Sequence, residues 1–447
     1  MSENPNLVEL DITALAAGGR GVARREGKVW MVEGAVPGDR VLATAVRERP
    51  RLAEGHTVRI LDQSAQRREP VCGVQGDCGG CPWMVLPEQD QRDWKRRVVL
   101  DSLERIAGLT DPPVEPVKPS PLDLAYRGKA EFSTGTDETG TVLVGFRHNR
   151  QPELLVDVAE CPVIPETANR VLKEVRLMLG APEEGGTVGL AGTRGRRLVL
   201  RQSAHDGGVL VIFRGQGREW AGPRRDMEKL AKTPGVVGVV ALTGLPGRRG
   251  GVRSRLLAGR DHLVEALGGT LFKVPAATFF QVNPAAAAIL VDQVVEMAGP
   301  VANGDPVLDL YGGVGVFGWA LAAKGARVTV CEADPHAVAV GREGVGSPHH
   351  PTFACDDVGR FLGRGGPSQR PRLVVANPPR TGFGKGVAGK IAGLGSERVI
   401  MVSCDPGTLA RDLKPLLAAG YRMIRLVPVD LFPQTAHVET VTLLQRG

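Results

Sequence analysis

The chain has 447 residues, 42% of them apolar and 4% aromatic, with a formal net charge of +7 and a pI near 9.1. Such a length exceeds a single hydrophobic core and implies two or three domains. With no apolar run near about 18 residues and no charged-then-apolar start, the sequence argues against a membrane span or export, so a cytoplasmic location is expected. The moderate basic excess fits an anionic partner and a solvated Arg-rich surface equally well. Seven cysteines, an odd number, argue against a disulfide framework and for metal or catalytic roles.

Residues 1–65 alternate short apolar runs with turn signals. Leu7–Leu10, Val29–Val32, Arg40–Ala43 and His56–Ile60 read as strands, separated by Gly18-Gly19, Gly27, Gly34 and Pro37-Gly38. A small closed β-barrel of the oligonucleotide-binding kind is expected. Arg20, Arg24, Arg25, Arg47, Arg49 and Arg51 fall around its turns, either as a solvated surface or as a nucleic-acid platform.

Residues 66–275 open with Cys72, Cys78 and Cys81, followed by an amphipathic helical pattern from Glu88 to Ala107 that is expected to dock on the catalytic domain. Pro112-Pro113, Pro116, Pro119 and Pro121 end that helix in a stiff linker. Strand-like runs at Lys129–Phe132, Val142–Phe146, Arg197–Arg201 and Gly208–Phe213, with a helix over Glu166–Leu179, indicate a central α+β domain.

Residues 276–447 change rhythm to helix–strand alternation, the doubly wound α/β pattern. A helix over Pro284–Met297 leads to a strand ending at Asp309-Leu310, then a Gly-rich turn and a helix over Phe317–Lys324. Strands follow at Ala326–Cys331, Leu373–Ala376 and Val399–Val402, with closing strands at Tyr421–Val429 and Val438–Leu444. The Gly-rich segment 363–369 reads as a mobile loop.

Asp309-Leu310-Tyr311-Gly312-Gly313-Val314-Gly315 follows a strand and opens a helix, the context of a nucleotide-cofactor turn. Its glycines let the backbone approach a ligand, and Glu332 ends the next strand where an acidic group can meet ribose hydroxyls. A nicotinamide dinucleotide and S-adenosylmethionine both suit such a turn. Asn377-Pro378-Pro379 after a later strand, and Asp356-Asp357 within reach of an adenine, favour S-adenosylmethionine.

Ser403-Cys404-Asp405-Pro406 then places a thiol at a strand tip beside the methyl-donor site. A lone free cysteine is usually a buried small residue, but this one lies between turn formers facing a helix start, where a thiolate is favoured. A methyl donor beside a thiol suits a carbon that is not nucleophilic by itself, such as uracil C5. Thiolate addition at C6 turns C5 into a nucleophile, and a base must afterwards remove the C5 proton. His437 and Glu439, in the string Leu431 to Glu439, are the candidate bases.

These motifs, with Phe279-Phe280-Gln281-Val282-Asn283 and Asn377-Pro378-Pro379-Arg380, resemble those of the RNA 5-methyluridine methyltransferases. The resemblance implies a class I, Rossmann-like methyltransferase domain with Cys404 as nucleophile and Glu439 as base. It places Gln281, Tyr311, Glu332 and Asn377 at cofactor and active-site positions, beside the Asp357 contact proposed above, with His437 in support. The N-terminal barrel is similar to the TRAM module, an RNA-binding domain. Two positions depart from the family pattern: Asn377 stands where Asp is usual, and Val316 where a polar residue is common. Asparagine still donates and accepts hydrogen bonds to a uracil edge.

Cys72-x5-Cys78-x2-Cys81 with Cys161 has metal-ligand spacing, and four thiolates suit zinc or an iron–sulfur cluster on coordination grounds. The spacing resembles the cluster-bearing branch of the family, which implies [4Fe-4S] in a structural or RNA-positioning role. Tyr126-Arg127-Gly128-Lys129 resembles the family's Tyr-Arg-x-Lys segment, which offers a stacking ring beside two cations; a plain strand edge explains the same residues. By resemblance 23S ribosomal RNA is the first expected substrate and the T-loop of transfer RNA the second, with the protein acting as a monomer. An amino-group methyltransferase has no use for Cys404 and usually carries an aromatic where Arg380 stands. A 5-methylcytosine enzyme would carry a second cysteine in the proline tip. A non-catalytic RNA-binding or ribosome-assembly factor is the rival from another class.

Overall fold

The computed structural model describes residues 7–191, 196–215, 223–244 and 252–447. The N-terminal residues form a six-stranded sheet in the order Leu7–Asp11, Arg40–Arg49, Leu52–Asp62, Lys28–Glu33, Gly21–Arg25 and Ala14–Leu15. Its first and last strands are neighbours in the chain, so the sheet comes round on itself about Leu10, Ile12, Ala23, Trp30, Val32 and Val41. Alternation fixes the register: in Lys28–Glu33, Trp30 and Val32 are buried while the residues beside them are only partly so. Arg20 faces Glu33 and Glu54, and Arg25 faces Glu26, so part of the expected basic surface is neutralised within the barrel.

The central region is an eight-stranded mixed sheet running from Val188–Ala191 to Arg253–Gly259, in which Val188–Ala191 also pairs with Lys129–Thr136 and closes the first four strands on themselves. Helix Glu166–Leu179 covers it, contributing Val171, Leu172 and Val175 to a core shared with Phe132, Phe213, Met84 and Cys161. The hairpin His262–Leu267 and Thr270–Pro275 leads to the C-terminal domain.

There seven strands run in the order Thr352–Cys355, Arg327–Glu332, Pro306–Leu310, Leu373–Ala376, Arg398–Ser403, Glu439–Arg446 and Tyr421–Val429. The first five are parallel; Glu439–Arg446 runs against them, and Tyr421–Val429, antiparallel to it, runs with them. Apolar clusters line both faces, as parallel strands buried on two sides require. The two-way crossover lies at Pro306–Leu310, where chain order reverses, and ligands of such sheets bind outside the strand ends at that point.

The helix expected over Glu88–Ala107 is α-helical through Ser102 and ends in a wider π-type turn, Leu103–Ala107, closed by left-handed Gly108. Its Val99 and Leu103 belong to the same apolar cluster as Leu308, Leu409 and Leu413. The helix therefore packs on the C-terminal domain although the residues before it belong to the cysteine segment.

Candidate active site

The turn after Leu310 bends through Tyr311, whose φ of 57° is left-handed, and passes close to the neighbouring strand. A Cβ on Gly312 would lie 2.4 Å from Val330 Cγ1, so the close approach requires glycine. Glu332 pins the turn: its Oε2 accepts from the Gly313 amide at 2.9 Å and its Oε1 from the Asp334 amide at 2.7 Å. Asp309 is fully buried, its Oδ2 accepting from the Gly318 amide while Oδ1 has no partner, and burial pushes its carboxyl up to about 7. Tyr311 stacks on Phe383 at 6.0 Å between centroids.

Three adjacent strand ends bring the candidate residues together. Asn377 follows Leu373–Ala376, Cys404 follows Arg398–Ser403, and Glu439 begins the strand paired to it, with Ser403 opposite Thr440. Asp405 caps helix Pro406–Ala418 by accepting from the Thr408 amide at 2.8 Å, which fixes Cys404 just ahead of a helix start. Burial, and then the charge of Glu439, push the Cys404 thiol up to about 11, while Arg380 pulls it down. Burial pushes Glu439 up to about 7 against the pull of the same Arg380. Arg380 Nη2 lies 2.8 Å from His437 Nδ1; burial and the cations Arg380, Lys95 and Arg127 bring that imidazole down to about 4. His437 is thus neutral, its Nδ1 accepting from the guanidinium.

A cavity of about 1110 Å3 joins these parts. Tyr311, Gly312, Gly313, Val314 and Glu332 line one portion, Gln281, Asn377, Arg380, Cys404, His437 and Glu439 another, and Cys72, Cys78, Cys81, Cys161 and Arg127 a third. The four thiols are free. Burial and neighbouring thiols push Cys78 to about 11 and Cys81 to about 12, and Cys161 also shifts up. Asn169 holds Cys161 by its backbone, accepting from its amide at 2.9 Å and donating to its carbonyl at 3.0 Å. Among the described residues no three His, Cys, Asp or Glu side chains are drawn into a metal-binding group as they stand.

Residues 369–447 match the family model of tRNA (Uracil-5-)-methyltransferases. An uncharacterized RNA methyltransferase of Gloeobacter violaceus is 35% identical over 98% of this chain and 96% of its own. Another from Thermotoga maritima is 33% identical over 99% of both chains. The chain belongs to the RNA (uracil-5-)-methyltransferase family. The solved tRNA (uracil-54, C5)-methyltransferase of Pyrococcus abyssi, a complex with S-adenosyl-L-homocysteine, shares the fold with a TM-score of 0.72 at 23% identity, over 98% of this chain and 100% of that one. The protein is therefore an RNA methyltransferase, and its α/β architecture is that of S-adenosylmethionine-dependent enzymes.

Not every residue singled out in the sequence comes to the cavity of the methyltransferase. Asp357 is not part of its lining; the carboxylate accepts from the Arg360 amide at 3.0 Å as the cap of helix Val358–Gly363, and Asp356 faces Arg360 and Arg364. Tyr126 is no stacking platform: its ring is buried and its hydroxyl donates to the Pro433 carbonyl at 3.0 Å. Arg127 does line the cavity, whereas Lys129 does not and is half-buried on its strand, where desolvation lowers its pKa. Sequence reading missed Arg380 as a charge partner of Cys404, His437 and Glu439, although its place after the proline tip was visible. Also missed was exposed Phe279 on the cavity lining, which the Phe-Phe-Gln motif could have flagged. No helix among the described residues is long and apolar enough to cross a membrane.

Proposed function

We propose that the enzyme methylates C5 of a uridine in RNA, with Cys404 as nucleophile and Glu439 as base. The observation that supports this most directly is the meeting of Cys404, Glu439 and the glycine turn at adjacent strand ends of one cavity. The target uridine leaves its stack to enter. Cys404 adds as thiolate to C6, and the electron pair of the C5–C6 double bond moves onto the ring, making C5 the nucleophile. Arg380 is the cation that favours both the thiolate and the carboxylate. S-adenosylmethionine, when bound, supplies the methyl group as an electrophilic sulfonium. Glu439 then takes the C5 proton, the double bond re-forms, and the Cys404 thiolate leaves C6. His437, neutral and bonded to Arg380, positions that cation.

Gln281, Tyr311, Glu332 and Asn377 are the residues of the cavity assigned to hold the cofactor and the uracil. Glu332, already oriented by two amides, suits ribose hydroxyls; Asn377 suits a uracil edge. Asp357 is the weakest member of that set because its carboxylate serves a helix cap. Cys72, Cys78, Cys81 and Cys161 fit a [4Fe-4S] cluster by donor chemistry, since four thiols lining one part of a cavity, three of them with pKa values raised by burial and by their neighbours, favour a cation that replaces their protons. When bound there, the cluster supplies a fixed cross-link between the cysteine segment and the central sheet.

The resemblance of the four-cysteine spacing to the cluster-bearing branch of the family favours 23S ribosomal RNA as substrate. A second reading, transfer RNA, is favoured by the description of the family model matching residues 369–447. RNA carrying 5-fluorouridine decides, because fluorine cannot leave C5 as a proton does. The enzyme with S-adenosylmethionine should form a denaturation-stable adduct on large-subunit rRNA fragments. An adduct on tRNA alone overturns the substrate assignment, and none on either RNA overturns the mechanism in favour of a scaffold.

A further inference from the structure

The loop 430–438 carries His437 and delivers Glu439 to the cavity as the first residue of its strand, paired to Val429. It is gripped from outside the catalytic domain. Gln91 and Lys95, four residues apart on helix Glu88–Ser102, lie on one face and are both fully buried. Lys95 Nζ reaches Asp430 Oδ1 at 2.5 Å and donates to the Phe432 carbonyl at 3.1 Å. Gln91 and Gln434 are tied reciprocally: Gln91 Nε2 donates to Gln434 Oε1 at 2.9 Å, and the Gln434 amide donates to Gln91 Oε1 at 2.8 Å. Gln91 Nε2 also meets the Trp83 and Leu86 carbonyls, and the Trp83 amide donates to the Gln434 carbonyl at 3.0 Å. Gln434 itself is held in the left-handed region at φ 68°. The barrel closes the other side, where a Cβ on Gly19 would meet Ala436 Cβ at 3.0 Å.

We infer that Gln91 and Lys95 are positioning residues for the catalytic base, setting the loop between the last two strands so that Glu439 reaches the C5 proton. This rests on the reading of Cys404 as nucleophile and Glu439 as base. The saturation of the contacts is the argument. A loop needing only to close a hairpin has no use for a buried ammonium and a buried carboxamide brought from a helix more than 300 residues earlier, each desolvated at a cost that only defined geometry offsets. Within the loop the order continues inward: Thr435 Oγ1 donates to the Phe432 carbonyl and accepts from the His437 amide. The Asn283 side-chain Nδ2 donates to the Leu431 carbonyl.

The test separates the two halves of the reaction. Addition of Cys404 and methyl transfer precede proton removal, so a misplaced base stalls the enzyme as a methylated Cys404–RNA adduct on ordinary uridine RNA. Gln91→Met should form the 5-fluorouridine adduct at nearly the wild-type rate, lose roughly tenfold to a hundredfold in turnover, and accumulate a denaturation-stable, methyl-labelled adduct on unsubstituted RNA. Should that variant fold poorly, Gln434→Gly keeps the left-handed backbone at ease while removing the partner carboxamide; the same stalled adduct is expected. Parallel loss of fluorouridine adduct and turnover in both variants, or no change in either, overturns the inference and leaves a merely stabilising contact. Wild-type enzyme that forms no fluorouridine adduct would instead overturn the underlying reading, a failure visible before any variant is made.

Discussion

In the central sheet Arg176 and Asp157 are buried together and saturated. Arg176 makes two contacts of 2.7 Å to the two Asp157 oxygens and donates to the Val144, Val158 and Pro182 carbonyls, while Asp157 Oδ1 also accepts from the Val144 amide. At the candidate active site Glu439 is buried and Cys404 and His437 are half-buried; burial outweighs the charge of Arg380 at Cys404 and Glu439 and acts together with it at His437, so all three titrations shift. The first arrangement fixes strand Leu154–Asp157 to a helix. The second keeps a thiol and a carboxyl poised to exchange protons, which a saturated pair cannot do. On the proposed mechanism, the contrast separates buried charges that hold the fold from groups that do chemistry.

The strongest way to break the contrast is Cys404→Ala, which should abolish both methyl transfer and the 5-fluorouridine adduct while RNA binding persists. A residual adduct would mean that another group is the nucleophile. Glu439→Gln should lower turnover about 10²- to 10⁴-fold and leave the fluorouridine adduct intact. The carboxyl acts as a base only when ionised, so wild-type turnover should fall as pH drops through about 7, and adduct formation on fluorouridine should lack that limb. The sign for stability is opposite to activity. A carboxyl raised above its ordinary value makes the folded state bind more protons than the unfolded one, so this contribution is fully present at low pH and lost as pH rises towards about 7. Urea denaturation of Glu439→Gln at pH 8 should therefore show equal or greater stability than wild type.

Arg176→Met sharpens the other side. Leaving Asp157 buried without its partner should cost about 3–5 kcal/mol in denaturant unfolding, with turnover per folded molecule nearly unchanged at low temperature. A large kinetic defect in correctly folded protein would show that the central sheet is part of the chemistry.

The strand ends at the cavity were legible because each motif is contiguous and sits where a strand stops or starts: the glycine turn, the proline tip, Cys404 and Glu439 all carry their own punctuation. Elements without punctuation were not. Strand Thr352–Cys355 has four residues beginning just after a proline, and helices Pro335–Arg342, Val358–Gly363 and Val387–Gly393 are too short for a period to stand out. The linkage of Gln91 and Lys95 to the base loop is invisible in sequence because their partners lie between the last two strands, more than 300 residues away. Tyr126 misled for a related reason. A tyrosine beside Arg127 reads as a nucleic-acid platform until the fold shows its hydroxyl against Pro433.

Arg380 is the subtlest lever on the contrast, since its side chain is exposed and solvent screens its charge. It lowers the pKa of both Cys404 and Glu439, so removing it should raise both. Arg380→Gln should shift the rising limb of turnover to higher pH and reduce activity several-fold near pH 7, with recovery at alkaline pH where both groups ionise unaided. Arg380→Lys, which restores the charge without the planar fork, should return the limb towards its original position. A variant whose activity stays low at every pH would place Arg380 in contact with RNA, and the shifted titrations at the cavity would then rest on burial alone.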